Sequence, residues 1–137
     1  MASLIRYVLI LETDHVLMQP IPNEATPTTP AGFDFGYMHA GPHQNSIIQK
    51  YWPEGTYESL DPVGPSPVII HLDQLRAITP KWLDFSLGLR STKDAEAMIQ
   101  GWVQEMWGYS IAAASLGIRH KVDCHVLRKL ESDSSCL

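Results

Sequence analysis

The chain has 137 residues, 45% of them apolar and 18% charged, which is the size and composition of one globular domain. A net charge of −5 with only ten Lys and Arg residues argues against a nucleic-acid or anionic-membrane binder. No apolar run approaches the roughly 18 residues of a membrane span, the N-terminus lacks a secretory-signal layout, and two cysteines, Cys124 and Cys136, make neither a disulfide scaffold nor a four-cysteine zinc site.

Tyr7-Val8-Leu9-Ile10-Leu11 is a continuous aliphatic run and predicts a strand buried on both faces, continuing through Glu12-Thr13-Asp14-His15 to Met18. Pro20 to Pro30, with four prolines and three threonines, reads as loop. Ala31 to Met38 alternates and predicts a second strand. Asn45 to Tyr51 predicts a short helix ended by Pro53. Residues 53–67 hold four prolines and two glycines and read as an ordered loop. Pro67 to Leu72 is a third strand. Asp73 then predicts the cap of a brief helix, Gln74 to Ile78, stopped by Pro80.

Ala95, Met98, Ile99, Trp102, Val103, Met106, Tyr109 and Ala113 follow helical spacing. They predict one long, central helix, begun by a Ser91/Asp94 capping box and stopped at Gly117, with Met98, Trp102, Val103 and Met106 among its least exposed residues. Gly101 and Gly108 share a face of that helix, where another element can approach closely. His120 to Leu127 is the last strand candidate, and residues 131–137 read as a tail behind a domain of residues 1–130. The fold class is α/β: a mixed sheet with one long packed helix.

Few residues carry candidate chemistry. Glu12 and Asp14 are two apart, and a strand places such a pair on one face. In open α/β sheets ligands gather at strand ends, and paired carboxylates there suit Mg²⁺ or Mn²⁺ with substrate phosphates completing the shell. The same spacing also marks a solvated strand end. Glu105 lies on the flank of the apolar helical stripe, facing either a partner or solvent. Asp61-Pro62-Val63-Gly64-Pro65-Ser66-Pro67 is either a stiff connector or a turn that presents Gly64 and Ser66 to a sugar. His39 and His43 read as loop residues. His120 and His125 fall on opposite faces of a strand, which disfavours a shared metal.

Taken in order, these segments resemble the plant and algal hydroxyproline O-arabinosyltransferases and the related peptidyl-serine α-galactosyltransferases. The resemblance runs from Tyr7 to Gly117, more loosely to Leu130. It rests on Glu12-Thr13-Asp14-His15-Val16 with Pro20-Ile21-Pro22-Asn23, on Ala31 to Tyr37, Lys50-Tyr51-Trp52-Pro53 and Asp61 to Ile70. Pro80-Lys81-Trp82-Leu83-Asp84-Phe85-Ser86-Leu87 and Gly101-Trp102-Val103-Gln104-Glu105-Met106-Trp107-Gly108-Tyr109 complete it.

The resemblance implies a partial GT-A-like domain that transfers arabinofuranose or galactose from a UDP-sugar to hydroxyproline or serine of cell-wall-type glycoproteins. It implies Golgi or endoplasmic-reticulum location, although no signal or anchor is legible in these residues. It gives Asp14 and Glu12 to Mn²⁺ or Mg²⁺ and, with Gly64 and Ser66, to the donor. Trp102 and Glu105 face the sugar or the acceptor as the catalytic pair. Such transfer preserves the donor's anomeric configuration, so Glu105 acts electrostatically rather than as an obligatory base. Pro65 stands where the family usually has asparagine. The resemblance also predicts a domain incomplete at both ends, so a non-catalytic binding remnant is the alternative, and residues 1–137 alone are expected to transfer little sugar.

Overall fold

The computed structural model describes residues 6–17 and 20–122. Four short strands form a mixed sheet: β1 (Tyr7–Ile10), β2 (Ala31–Gly32), β3 (Val68–His71) and β4 (Lys121–Val122), in the order β1-β3-β2-β4. β3 runs antiparallel to both neighbours, with Leu9 and Ala31 each opposite Ile69, and β4 runs parallel to β2. The helices are α1 (Asn45–Tyr51), α2 (Leu72–Ser91), α3 (Ala95–Met98) and α4 (Gln104–Ser115). The mixed α/β class is the one expected. α1 and β3 fall where their sequence signals place them, and Gly117 ends α4 with a positive φ of 70°.

Packing explains the departures. β1 is half-buried rather than covered on both faces, and Leu9 remains 38% exposed. The strand also stops at Ile10, and the chain turns at Thr13-Asp14. The second strand keeps only Ala31–Gly32, because Gly36–Met38 coils into a 3-10 turn that puts Met38 in the core. The proline does not stop the helix after β3. α2 runs through Pro80, begun by His71, whose Nδ1 accepts from the Asp73 N–H at 3.3 Å. Pro80 lies on the exposed side, where water can satisfy the carbonyl its ring deprives of a donor.

The long helix expected from Ala95 to Ala113 is broken, which leaves α2 as the longest helix among the described residues. Asp94 makes no side-chain capping bond, α3 lasts one turn, and Gln100 takes a φ of 27°. The freed carbonyl of Met98 accepts from the buried Gln44 amide at 3.1 Å, and the chain restarts as a 3-10 turn, Gly101–Val103, before α4. This break keeps Ile99, Val103 and Met106 buried and leaves Met98 half-buried, but rotates Trp102 outward to 63% exposure. α4 is nevertheless the central helix, buried from Met106 to Ala114. α2 packs along it so closely that a Cβ on Gly108 would lie 2.3 Å from the Ser86 Oγ and 3.0 Å from its backbone nitrogen. The strand expected over His120–Leu127 starts at Lys121, and its remainder after Val122, like the 131–137 tail and both cysteines, lies outside the described residues.

Candidate functional site

The acidic turn closes on itself. The Glu12 N–H donates to His15 Nδ1 at 3.1 Å, and the His15 N–H donates back to the Glu12 carbonyl at the same distance. The turn brings one ligand atom from each of Glu12, Asp14 and His15 within 4.8 Å of the others. Glu12 and Asp14 are exposed and His15 is half-buried. A tight turn, rather than the extended strand expected, gathers the carboxylates. Because Nδ1 accepts a hydrogen bond, the neutral imidazole carries its proton on Nε2 and presents a donor there.

Tyr37 ties this turn to the start of α4. Burial pushes its phenol above the usual value, and the Glu12 and Glu105 carboxylates push it further the same way. Its hydroxyl donates to the Met106 Sδ at 3.8 Å, and its ring centroid lies 5.0 Å from that of Trp102. Glu105 stands exposed in the first turn of α4, where the helix dipole favours a carboxylate, and its own carbonyl accepts from Trp82 Nε1 at 2.9 Å. Tyr37 thus touches Trp102 and feels the charges of Glu12 and Glu105, while Asp14 lies beside Glu12 in the turn. Sequence reasoning passed over Tyr37, although its aromatic alternation with Phe33 and Phe35 was visible.

Gly64 and Ser66 are placed differently. Both are buried; a Cβ on Gly64 would meet the Met106 Cε at 2.5 Å, so this glycine lies behind the methionine that receives the Tyr37 hydroxyl. The Ser66 Oγ is buried without a hydrogen-bond partner among the described residues.

A second polar cluster joins residues far apart in sequence. Asp61 Oδ2 accepts from the His120 N–H at 2.7 Å and lies 3.1 Å from His120 Nδ1, while Oδ1 pairs with Arg119 at 2.9 Å. The other imidazole nitrogen meets the Tyr109 hydroxyl at 2.8 Å, and the His120 side chain is 1% exposed. Burial pushes the Asp61 carboxyl up, but the His120 hydrogen bonds and the His120 and Arg119 charges outweigh it and hold the group below the usual carboxylate range. Burial, then the Asp61 charge, drives the Tyr109 phenol far up. The cluster pins the 61–67 loop to the segment after α4. The sequence carries no local signal for a pairing across 59 positions.

Comparison with known proteins agrees with the order of these segments. Residues 3–122 match the model of the hydroxyproline O-arabinosyltransferase family N-terminal domain. The chain is 42% identical over 125 residues to hydroxyproline O-arabinosyltransferase 3 of Arabidopsis thaliana, a match covering 90% of this chain and 33% of the relative. It is 40% identical over 126 residues to hydroxyproline O-arabinosyltransferase RDN2 of Medicago truncatula, again over 90% of this chain and 33% of that protein. Peptidyl serine alpha-galactosyltransferase of Arabidopsis thaliana is more distant, 28% identical over 131 residues, with 88% of this chain and 16% of that protein covered. The chain thus spans about a third of the length of the two arabinosyltransferases. No solved structure matches it. With the family model matched over residues 3–122 of its 137, the chain belongs to the hydroxyproline O-arabinosyltransferase family.

Proposed function

We propose that this chain forms part of a glycosyltransferase that moves arabinofuranose or galactose from a UDP-sugar to hydroxyproline or serine of a protein acceptor in the Golgi or endoplasmic-reticulum lumen, on a GT-A-like fold. The supporting observation is the gathering of Glu12, Asp14 and His15 in one turn, with one ligand atom of each within 4.8 Å of the others. Two exposed carboxylates are hard oxygen donors and fit Mn²⁺ or Mg²⁺, which when bound neutralises charge on a leaving nucleoside diphosphate.

Within that reading Asp14 and Glu12 hold the cation. The His15 Nε2–H donates to a diphosphate oxygen. Glu105 supplies negative charge beside the sugar carbon as it becomes oxocarbenium-like. Gly64 reaches a donor sugar only if the Met106 side chain withdraws, and Ser66 is buried as well. That burial favours a second reading, a glycoprotein-binding module without turnover.

Titrating Mn²⁺ with UDP into the wild type and Asp14→Ala, followed by calorimetry, tests the cation assignment. The expected result is saturable wild-type binding that Asp14→Ala weakens at least about tenfold, or by ~1.4 kcal/mol. Equal binding by the two proteins would overturn it. A transfer assay with UDP-arabinofuranose and UDP-galactose on a hydroxyproline- and serine-rich peptide then separates the enzyme from the binding module. Residues 1–137 alone are expected to turn over slowly, because one turn and one helix start hold only part of a donor and fixing the remainder costs several kcal/mol of lost freedom.

A further inference from the structure

The sequence offers two backbones at the break before α4. Ala95, Met98, Ile99, Trp102, Val103 and Met106 keep helical spacing through it, the pattern of an unbroken helix. In such a helix the Met98 carbonyl would accept from the Trp102 N–H, four residues on. Here it accepts instead from Gln44 Nε2, at 3.1 Å. The other end of that amide, Oε1, accepts from the Gly41 N–H at 2.6 Å, so donor and acceptor are both committed and fix one orientation. Gln44 is 8% exposed, and an amide this buried is costly to leave unpaired. A second contact follows the same route, from the Ser46 hydroxyl to Met98 Sδ at 3.5 Å.

The chain leaves Met98 under strain. The Ile99 N–H still donates to the Ala95 carbonyl at 2.8 Å, but Gln100 then takes a φ of 27°, which residues with a Cβ avoid. The Val103 N–H reaches back to the Gln100 carbonyl at 3.1 Å, and the helix restarts. Trp102 lies inside this restart, 63% exposed, its ring centroid 5.0 Å from that of Tyr37. Strain of this kind persists only where the surroundings over-determine it. At Met98 the Gln44 amide is such a constraint.

We propose that Gln44 is a positioning residue for Trp102: by occupying the Met98 carbonyl it displaces the Trp102 N–H, holds the break open and turns the indole outward against Tyr37. The proposal rests on the glycosyl-transfer reading only for the sugar or acceptor that Trp102 faces. Without the amide, the Met98 carbonyl recovers the Trp102 N–H, Gln100 relaxes into the helix and Trp102 rotates toward the core.

The test is fluorine NMR of the 137-residue chain with its four tryptophans fluorine-labelled, in the presence of a dissolved nitroxide and without nucleotide or metal. Trp102→Phe assigns the Trp102 resonance. In wild type the nitroxide should relax Trp102 strongly and Trp107, 2% exposed, least. Gln44→Glu keeps an acceptor for Gly41 but sets a second acceptor against the Met98 carbonyl, and Gln44→Met keeps the shape without either bond. Both should remove most of the Trp102 relaxation enhancement and slow hydrogen exchange of its backbone N–H. Adding Gln100→Gly should restore the enhancement, because glycine takes a positive φ without strain. Unchanged Trp102 relaxation in a folded Gln44 variant would overturn the assignment. Loss of the native Trp107 resonance in both variants, not recovered with Gln100→Gly, would also overturn it, by making Gln44 a packing residue. A chain that binds no Mn²⁺–UDP but shows the Trp102 response would sink the glycosyl-transfer reading and leave the positioning standing. An unmoved Trp102 in a chain that binds Mn²⁺–UDP through Asp14 would do the reverse.

Discussion

At the scale of single residues, Asp61 is the charge most dependent on the fold. Its carboxyl titrates below its unfolded value, so the native state binds fewer protons there than the unfolded chain. Its contribution to stability is therefore complete above the unfolded value, about 3.9, and is lost as pH falls through the lower folded value. Asp61→Asn should lower the urea midpoint at about pH 7, and the difference from wild type should shrink as pH falls below the unfolded value of about 3.9. A constant difference across that range would remove the electrostatic account. His120→Ala should cost about 2–3 kcal/mol in urea unfolding, because it removes the imidazole that joins the Asp61 carboxylate to the buried Tyr109 hydroxyl. The tryptophans divide by exposure. Trp107, 2% exposed, should cost about 3–5 kcal/mol on truncation, whereas Trp102→Ala should change stability by only about 0.5 kcal/mol. A Trp102→Ala protein as damaged as Trp107→Ala would return Trp102 to the core.

At the scale of elements, the fit of α2 against α4 sets what each helix tolerates. Alanine for Gly108 gains roughly 1 kcal/mol of helix propensity but places its Cβ against the Ser86 Oγ and backbone. Overpacking wins, and Gly108→Ala should lower stability by about 1 kcal/mol in thermal or urea unfolding. Ser86→Ala removes a buried hydroxyl that has no partner among the described residues, so alone it should be neutral or stabilising. Combined with Gly108→Ala it should recover part of the loss, and strict additivity would mean that the two helices do not meet at this point. The same contact explains why α2 survives Pro80: a missing donor on a wet face costs less than giving up the inner face.

At the scale of the whole molecule, β1 pairs with β3 on one side only among the described residues, and its Leu9 is 38% exposed. An apolar strand with an open edge is a template for pairing with another chain. The chain should therefore self-associate as concentration rises in sedimentation velocity, and Leu9→Lys should shift it toward monomer. A wild type that stays monomeric at about 0.1 mM, where a pairing with Kd near 10 µM would be mostly formed, would show that the edge is already protected.

Local chemistry alone determined α1, whose apolar spacing and following proline need no distant partner, and β3, a β-branched run between loop residues. It also determined the Gly117 stop and the acidic pair, because residues two to three apart meet in a turn as readily as along a strand. Tertiary structure decided the remainder. Trp102 has the helical spacing of a core residue, but burying Ile99 and Val103 on their own terms required a break at Gln100, and the tryptophan turned outward. Pro80 has the signature of a helix stop, but α4 supplies more contact along α2 than one hydrogen bond removes. Asp61, Tyr109 and His120 carry no short-range signal, and Tyr37 meets Trp102 only because the 33–38 segment curls toward α4. Periodicity reports which side chains favour burial; which of them succeed depends on space that only the packed chain defines.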